Sequence, residues 1–282
     1  MGDREARRTG AAPQQVAPGV HWVAVGRGLL RANVYFMESG ARWVLIDAGA
    51  AGSGPTIRDA AAALFGPGAA PAAILLTHDH TDHAGAVRDL AETWDVSVWI
   101  HPDELPLAVG AMAAFHDYAN PLDRWVILPF MRLLGSERAD AVIARGSLKG
   151  VVLPLNLGAG LPGLPDWDLI PTPGHTPGHI ALFRRSDRVL ITGDALLTMN
   201  VNSPLGFVAR QPRLCPPPRF TSWDWPLATR SMRRLAELRP AVIASGHGVP
   251  MAGAGIAEGL ARYATPPRGD RDNKPHDGPI QT

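Results

Sequence analysis

The sequence predicts an α/β fold built as one main domain. Short runs typical of β-strands alternate along the chain with longer stretches typical of α-helices, which is the pattern of that fold class. The chain has 282 residues, a length that α/β folds often reach as a single domain. Apolar residues make up 46% of the chain and charged residues 19%, so we expect a well-buried core.

The first half of the chain predicts a meander of strands, followed by strands that alternate with helices. Strand-like runs occupy residues 20–25, 33–37, 43–46, 72–76 and 96–100. Helical patterns occupy residues 57–65 and 85–93, between these runs. A longer and less regular apolar region with helical character begins at Pro102 and reaches roughly Leu134.

The second half predicts another set of strands with glycine and proline punctuation between them. Its strand-like runs are residues 151–153, 167–170, 180–183, 189–191 and 241–244. A helix after Pro226 has leucines on one face and arginines largely off that face, so we expect it to cover a sheet. Residues 256–263 predict a last helix.

These patterns divide the chain into a central domain with a tail at each end. We expect a flexible N-terminal tail over 1–15, one folded domain over 16–265 and a disordered tail over 266–282. Within the domain, residues 105–148 read as a helical insertion with many aromatic and methionine side chains. This insertion could be a lid over a pocket, a dimer contact or ordinary core, so a homodimer is left open.

Composition excludes several classes of protein and partner. Lys and Arg total 27 and Asp and Glu total 26, so no overall charge attracts nucleic acid or an anionic membrane, and small-molecule substrates are favoured. Cys215 is the single cysteine, which excludes an internal disulfide and a metal site built from several thiolates. Since no apolar stretch follows the arginines of residues 1–15, we expect no signal peptide and a cytoplasmic location. No membrane-spanning segment is predicted.

The densest group of chemically active side chains follows the strand-like run 72–76. It reads Thr77-His78-Asp79-His80-Thr81-Asp82-His83. His78 and His80 are two residues apart, so their side chains point the same way in an extended segment. Asp82 and His83 enter the next turn and can face a neighbouring point. Side chains so crowded would otherwise repel one another or remain unpaired, so the segment predicts metal binding, with room for two adjacent ions.

One segment cannot complete two coordination shells, so further ligands must come from elsewhere in the chain. The candidates are His175 in a Pro-Gly-His-Thr-Pro-Gly-His run, Asp194 in Thr-Gly-Asp and His247 in Ser-Gly-His-Gly. Each lies close to the end of a predicted strand. Neutral imidazole and carboxylate are the usual zinc ligands besides thiolate, and a catalytic site leaves one position for water.

In this order the motifs resemble those of a known family. His-x-His-x-Asp-His, Thr-Pro-Gly-His-Thr-Pro-Gly-His, Gly-Asp and Gly-His-Gly are similar to the motifs of the metallo-β-lactamase superfamily, and most similar to its branch of hydroxyacylglutathione hydrolases and lactonases. The similarity spans residues 20–263. It implies a four-layer αβ/βα sandwich with the metals at one end of two facing sheets.

The resemblance also implies a role for each candidate residue. It assigns the first metal to His78, His80 and His175, the second metal to Asp82, His83 and His247, and the bridge between them to Asp194. Asp47, in an Asp-x-Gly after an early strand, would orient a ligating imidazole through its other nitrogen. His179 resembles a supporting position. The expected cofactor is two zinc ions, with iron or manganese as alternatives.

The implied reaction is hydrolysis of a carbonyl compound by a hydroxide that bridges the metals, with Asp82 as the catalytic carboxylate that accepts a proton. Esters, thioesters and lactones are favoured over β-lactams, and a substrate with an apolar part is favoured by the aromatic and methionine content of residues 105–134. The competing interpretations are a mononuclear iron sulfur dioxygenase, a β-lactamase and a phosphodiesterase or nuclease.

Four other histidines are interpreted as structural or merely exposed. They are His21, His101, His116 and His276.

Overall fold

In the computed structural model of the chain, residues 12–209 and 211–264 are described. They form two β-sheets that face each other, with helices on the outer face of each sheet. The predicted position of His276 and the predicted C-terminal tail lie outside the described residues.

The first sheet has seven strands in their order along the chain. The strands are β1 Gln14–Ala17, β2 Val20–Val25, β3 Ala32–Ser39, β4 Arg42–Ile46, β5 Ala73–Leu75, β6 Val98–Ile100 and β7 Val152–Pro154. β1 to β4 pair antiparallel, and β4 to β7 pair parallel. The predicted meander therefore continues into parallel strands, whose carboxyl ends meet at one edge of the sheet.

The second sheet has five strands, in the order β12, β11, β10, β9, β8. They are β8 Trp167–Pro171, β9 Ile180–Arg184, β10 Val189–Gly193, β11 Val242–Ser245 and β12 Met251–Ala252. β10 and β11 are parallel, and the other neighbours are antiparallel. The parallel pair again brings two carboxyl ends to one edge.

The helices lie between strands of the same sheet or after them. They are α1 Gly54–Phe65, α2 Thr81–Ala84, α3 Val87–Trp94, α4 Leu105–Ala108, α5 Met112–Asp117, α6 Leu128–Leu134, α7 Ser136–Gly146, α8 Pro204–Ala209, α9 Trp225–Glu237 and α10 Gly255–Ala264. Short 3₁₀ turns occur at Gly28–Leu30, Pro102–Glu104 and Arg219–Thr221, and a π-helical stretch occurs at Asp123–Ile127.

Three buried clusters of apolar side chains show that the fold has four layers. Along β3, Val34 and Phe36 pack outward with α1 and α3, whereas Tyr35 and Met37 pack inward between the two sheets. On the far side, α9 and α10 cover the outer face of the second sheet, with Leu235 among the buried contacts. Both faces of β3 are buried, which explains why its sequence is almost continuously apolar. The predicted αβ/βα sandwich is confirmed.

The N-terminal boundary of the domain differs from the prediction. β1 begins at Gln14, so Gln14 and Gln15 belong to the first sheet and not to a flexible tail. Both side chains are exposed, and the strand lies at the edge of the sheet, so it carries no apolar pattern that sequence reasoning could detect. Residues 1–11 of the predicted tail lie outside the described residues.

The helical insertion predicted over 105–148 lies between β6 and β7 and contains α4 to α7. Four of its apolar side chains form an exposed stripe: Trp125 is 77%, Val126 48%, Phe130 55% and Leu133 84% exposed. On the same helices Leu128 is buried, so one face packs on the domain and another does not. The stripe is therefore not ordinary core.

None of the described helices is both long enough and apolar enough to span a bilayer.

Candidate metal centre

The candidate residues lie where strands of both sheets end. Asp47 follows β4, the segment 77–83 follows β5, Asp194 follows β10, and His247 comes two residues after β11. His175 lies in the loop that joins β8 to β9. The fold thus brings to one place residues that are up to 200 positions apart in the sequence, which agrees with the tendency of α/β sheets to bind ligands at the carboxyl ends of strands.

Three groups of three predicted ligands have their ligand atoms close together, and one of them, His78, His83 and Asp194, links the other two. Ligand atoms of His78, His80 and His175, called here the first group, all lie within 4.8 Å of one another. Ligand atoms of Asp82, His83 and His247, called here the second group, meet the same limit.

Asp194 lies between the two groups. Its Oδ2 is 3.5 Å from Nε2 of His175 and 3.3 Å from Nε2 of His247, and its Oδ1 is 3.5 Å from Nε2 of His83. One carboxylate therefore faces a member of the first group and two members of the second, which is the position that a bridging ligand needs.

Three buried atoms test whether this cluster suits a metal. Nε2 of His78, Nε2 of His175 and Oδ1 of Asp194 have no hydrogen-bond partner among the described residues. Buried polar atoms are nearly always paired with protein or water, so three orphaned ligand atoms in one cluster are unusual. Divalent ions would satisfy all three. The donor set, imidazole and carboxylate, is also the one that zinc and iron accept.

A glycine keeps the space between these atoms open. A Cβ added at Gly246 would collide with Oδ1 of Asp194 and would lie 2.7 Å from Cε1 of His83. Any side chain at this position would thus fill the space that the ligand atoms surround. The glycine of the Ser-Gly-His-Gly motif is explained by this close approach.

Asp47 is hydrogen-bonded to His83. Its Oδ2 accepts a hydrogen bond from Nδ1 of His83 at 2.8 Å, which turns the other ring nitrogen toward the cluster. The backbone N–H and the hydroxyl of Thr77 also donate to this carboxylate, at 2.8 and 2.9 Å. Asp47 adopts a left-handed backbone conformation, with φ of 61°, which is uncommon for a residue other than glycine.

The other rings of the cluster are held in a similar way by partners that sequence reasoning did not find. Nδ1 of His78 lies 3.0 Å from the Thr77 hydroxyl, which already donates to Asp47 and therefore accepts here. Nδ1 of His247 donates to the carbonyl of Arg31 at 2.9 Å. Such outer hydrogen bonds fix the tautomer and the orientation of a ligating imidazole.

His175 belongs to the same pattern. Its Nδ1 lies 3.1 Å from the Ser222 hydroxyl, which donates to the carbonyl of Pro218 at 2.7 Å and so accepts from the ring. The hydrogen-bond partners of His175 and His247 come from loops that are distant in the sequence, so no local sequence pattern predicts them.

His179 supports Asp194 and does not join either group. Its Nε2 accepts a hydrogen bond from the backbone N–H of Asp194 at 2.9 Å, so that nitrogen carries no proton. Its Nδ1 then donates to the Thr172 hydroxyl at 2.7 Å. Burial lowers the pKa of His179 to about 3, which keeps the ring neutral.

Glu104 is a buried carboxylate near the site that sequence reasoning missed. Its Oε2 accepts a hydrogen bond from the backbone N–H of Asp79 at 3.0 Å, and its Oε1 accepts one from the backbone N–H of Gly178 at 2.7 Å. Burial raises the pKa of Glu104 to about 7. His101, three residues earlier, accepts a hydrogen bond at its Nδ1 from the N–H of Asp103 at 3.2 Å.

The two groups differ in charge when no metal is present. Burial and the neighbouring imidazoles hold the pKa values of His78 and His175 well below their usual range, so both rings are neutral. Burial also opposes charge on His83, but the carboxylates of Asp194 and Asp47 raise its pKa to about 9. Metal binding to the second group must therefore displace a proton from His83.

The insertion reaches the edge of this cluster. Tyr118 packs against Trp223 with ring centroids 5.1 Å apart and nearly perpendicular rings. The backbone N–H of Trp223 donates to the carbonyl of His175 at 3.3 Å. An aromatic pair that includes one insertion residue thus lies next to a predicted ligand.

The fold has two facing sheets, and a cluster of histidines and aspartates lies at the ends of their strands. Together these two features indicate a metallo-hydrolase. The chain belongs to the metallo-beta-lactamase superfamily, because the model of that family matches residues 27–247.

A curated relative supports this membership over nearly the whole length. The protein described as probable metallo-hydrolase YflN, from Bacillus subtilis (strain 168), is 36% identical over 255 residues, which cover 89% of this chain and 91% of the relative.

Solved structures agree with the fold. The structure of TTHA1623 in a di-iron-bound form is 27% identical, with a TM-score of 0.52 over 85% of this chain and 97% of that one. The structure of AidC, described as a dizinc quorum-quenching lactonase, is 18% identical, with a TM-score of 0.55 over 77% of this chain and 72% of that one. The AidC match concerns the fold alone.

Proposed function

We propose that this chain is a dinuclear metallo-hydrolase that cleaves a carbonyl ester, thioester or lactone of a small molecule. The observation that carries the proposal is the pair of three-residue groups with Asp194 between them. A single-ion site would need only one of these groups. The relative described as a probable metallo-hydrolase supports hydrolysis as the reaction type.

Two bound divalent ions would supply a water of lowered pKa and a Lewis acid for the carbonyl oxygen. The first group and the second group would each hold one ion, and Asp194 would contribute to both. Asp82 lies half-buried, with its Oδ2 3.3 Å from Nε2 of His247. Although burial opposes ionisation, the imidazoles of His83 and His247 lower the pKa of Asp82, so its carboxylate is ionised. Its proposed role is to orient the attacking water and to accept its proton, for which the lowered pKa makes it a weak base.

Zinc is the metal we favour, with iron and manganese as alternatives. Imidazole and carboxylate ligands accept all three ions, so the donor set does not select among them. The structure of TTHA1623 is described as a di-iron-bound form, and that of AidC as dizinc. The metal identity must therefore be measured in the purified protein.

The proposed substrate has an apolar part. Tyr118 and Trp223 form an aromatic wall next to His175, and such walls bind apolar groups. Basic and acidic residues are nearly equal in number, which gives no reason to expect nucleic acid or an anionic membrane as a partner. The cytoplasmic location and the homodimer stay predictions.

The test is a substrate panel with the zinc-loaded protein and, in parallel, the iron-loaded protein. The panel contains acyl esters, lactones, glutathione thioesters, a chromogenic cephalosporin and a phosphodiester, and kcat/KM is compared across it. We expect the largest value for an ester, thioester or lactone. Best turnover of the cephalosporin or of the phosphodiester would instead assign the chain to a β-lactamase or nuclease role.

A redox outcome would contradict hydrolysis altogether. It would be seen as one iron per chain together with oxygen consumption on a persulfide, the behaviour of a mononuclear sulfur dioxygenase.

A further inference from the structure

We propose that Glu104 is a positioning residue that ties together the two loops of the first group. The inference rests on the proposed function, because it assumes that the first group binds a metal. It concerns a residue of the turn that precedes the insertion and that no sequence motif singles out.

The hydrogen bonds of Glu104 reach both loops at once. Asp79, whose N–H donates to Oε2 at 3.0 Å, lies between His78 and His80 in the chain. Gly178, whose N–H donates to Oε1 at 2.7 Å, comes three residues after His175. A single carboxylate therefore joins the segment that supplies two ligands of the first group to the segment that supplies the third.

The burial of the Glu104 carboxylate is energetically unfavourable. Its side chain is fully buried, at 0% exposure, and a buried carboxylate is unfavourable unless hydrogen bonds compensate for the lost water. A well-packed apolar residue would stabilise such a position at least as well. The carboxylate at this position therefore fits a role in fixing the two backbone segments relative to each other.

The lack of space around Gly178 also shows that its segment and the Glu104 segment are in close contact. A Cβ added at Gly178 would lie 2.8 Å from the backbone nitrogen of Glu104, 3.0 Å from its Cγ and 2.7 Å from Nδ1 of His101. The two segments approach so closely that only glycine fits. The second Pro-Gly of the histidine-rich motif is thus explained by the passage of the Glu104 segment.

The second group depends on different supports. His83 is held by Asp47, and His247 by the carbonyl of Arg31. The His247 loop is also fixed by Asn33, whose side-chain amide donates to the carbonyl of Gly248 at 2.6 Å. Loss of the Glu104 contacts should consequently loosen the first group and leave the second group in place.

The experiment measures zinc binding at each group separately. Protein labelled with ¹⁵N in its histidines is stripped of metal and titrated with zinc, and the imidazole signals of His78 and His175 are compared with those of His83 and His247. The variants are Glu104→Gln, Glu104→Ala and Gly178→Ala. Asn33→Ala is the matched control, because it removes a buried polar side chain that supports the loop of His247 in the second group.

Glu104→Gln keeps one acceptor oxygen but places an NH₂ group against the other backbone N–H, and Glu104→Ala removes both acceptors. We expect zinc affinity at the first group to fall about 10–100-fold in the Ala variant and less in the Gln variant, with the second group unchanged. Gly178→Ala should act like Glu104→Ala and add little when the two are combined. Asn33→Ala should show the opposite selectivity.

Three results would contradict the inference: equal losses at both groups, no loss at either group, or additive effects of Glu104→Ala and Gly178→Ala. If Glu104→Ala does not fold, as judged by circular dichroism, the Gln and Gly178 variants still decide the matter. Failure of the wild-type protein to bind zinc through any of these histidines would overturn the proposed function instead, so the two failures are distinguishable.

Discussion

The strand-end cluster and the helical insertion differ in almost every physical respect. In the cluster, His78 and His83 are fully buried and His175 is 1% exposed, and each ring has a fixed hydrogen-bond partner. In the insertion, Trp125 is 77% and Leu133 is 84% exposed. Rigid, buried groups are suited to catalysis, which needs a fixed geometry. An exposed apolar surface is suited to binding another molecule.

The largest effect should follow from Asp194→Ala, which removes the carboxylate shared by both groups. We expect both metals to be weakened and kcat/KM to fall by more than about a hundredfold, because loss of an outer partner alone costs about 10–100-fold. Metal content by elemental analysis and the esterase assay check this. His247→Ala should weaken chiefly the second group, and His116→Ala, at an exposed histidine of the insertion, should change neither quantity. Full metal and full activity in Asp194→Ala would remove the bridge from the account.

A smaller loss is expected from His179→Ala, because this ring supports Asp194 only through its backbone N–H. We expect kcat/KM to fall about 10–100-fold. His179→Gln should recover part of the activity, since the amide oxygen of glutamine can accept the same hydrogen bond. If His179→Ala has the kcat/KM of the wild-type protein, the ring contributes to packing and does not support Asp194.

A modest and selective effect should follow from Tyr118→Ala, which tests whether the insertion recognises substrate. For acyl esters of increasing length, each methylene buried against the wall should contribute about 0.8 kcal/mol, or about fourfold in kcat/KM. The variant should flatten this dependence without changing the metal content. If the wild-type protein shows no dependence on chain length, the aromatic wall does not contact the substrate.

The smallest effect should come from Leu133→Ser in the exposed stripe. If the stripe is solvated, the free energy of unfolding should change by no more than about 0.5 kcal/mol, as measured by urea denaturation at two protein concentrations. A larger loss that depends on concentration would show that the stripe is covered by a second copy of the chain and is therefore buried in the assembled protein.

Much of the fold could be predicted because its signals are local. β2 matches its predicted bounds, and β3, β9 and β10 extend their predicted cores by one or two residues at most. The candidate ligands were found by order and spacing, since strand ends carry them and parallel pairing brings strand ends together. The first two residues of β1, Gln14 and Gln15, are exposed and polar and offered no such signal.

The supports of the cluster could not be predicted because they depend on contacts across the fold. Glu104 is 25 residues from Asp79 and 74 from Gly178, and nothing in a single sequence relates these positions. The insertion was read as one long helical region, whereas the chain turns at Gly110 and Gly135, both with positive φ, and divides it into short helices. A single sequence shows which residues are apolar but not which of them find a partner.

The central claim is that two metal ions occupy this cluster, one in each group. Crystals of the metal-loaded protein, measured at the absorption edge of the bound metal, test it most directly through the anomalous difference map. The account predicts two peaks about 3.5–4 Å apart, one among His78, His80 and His175 and the other among Asp82, His83 and His247, with Asp194 contacting both. A single peak, or peaks away from these residues, would contradict it.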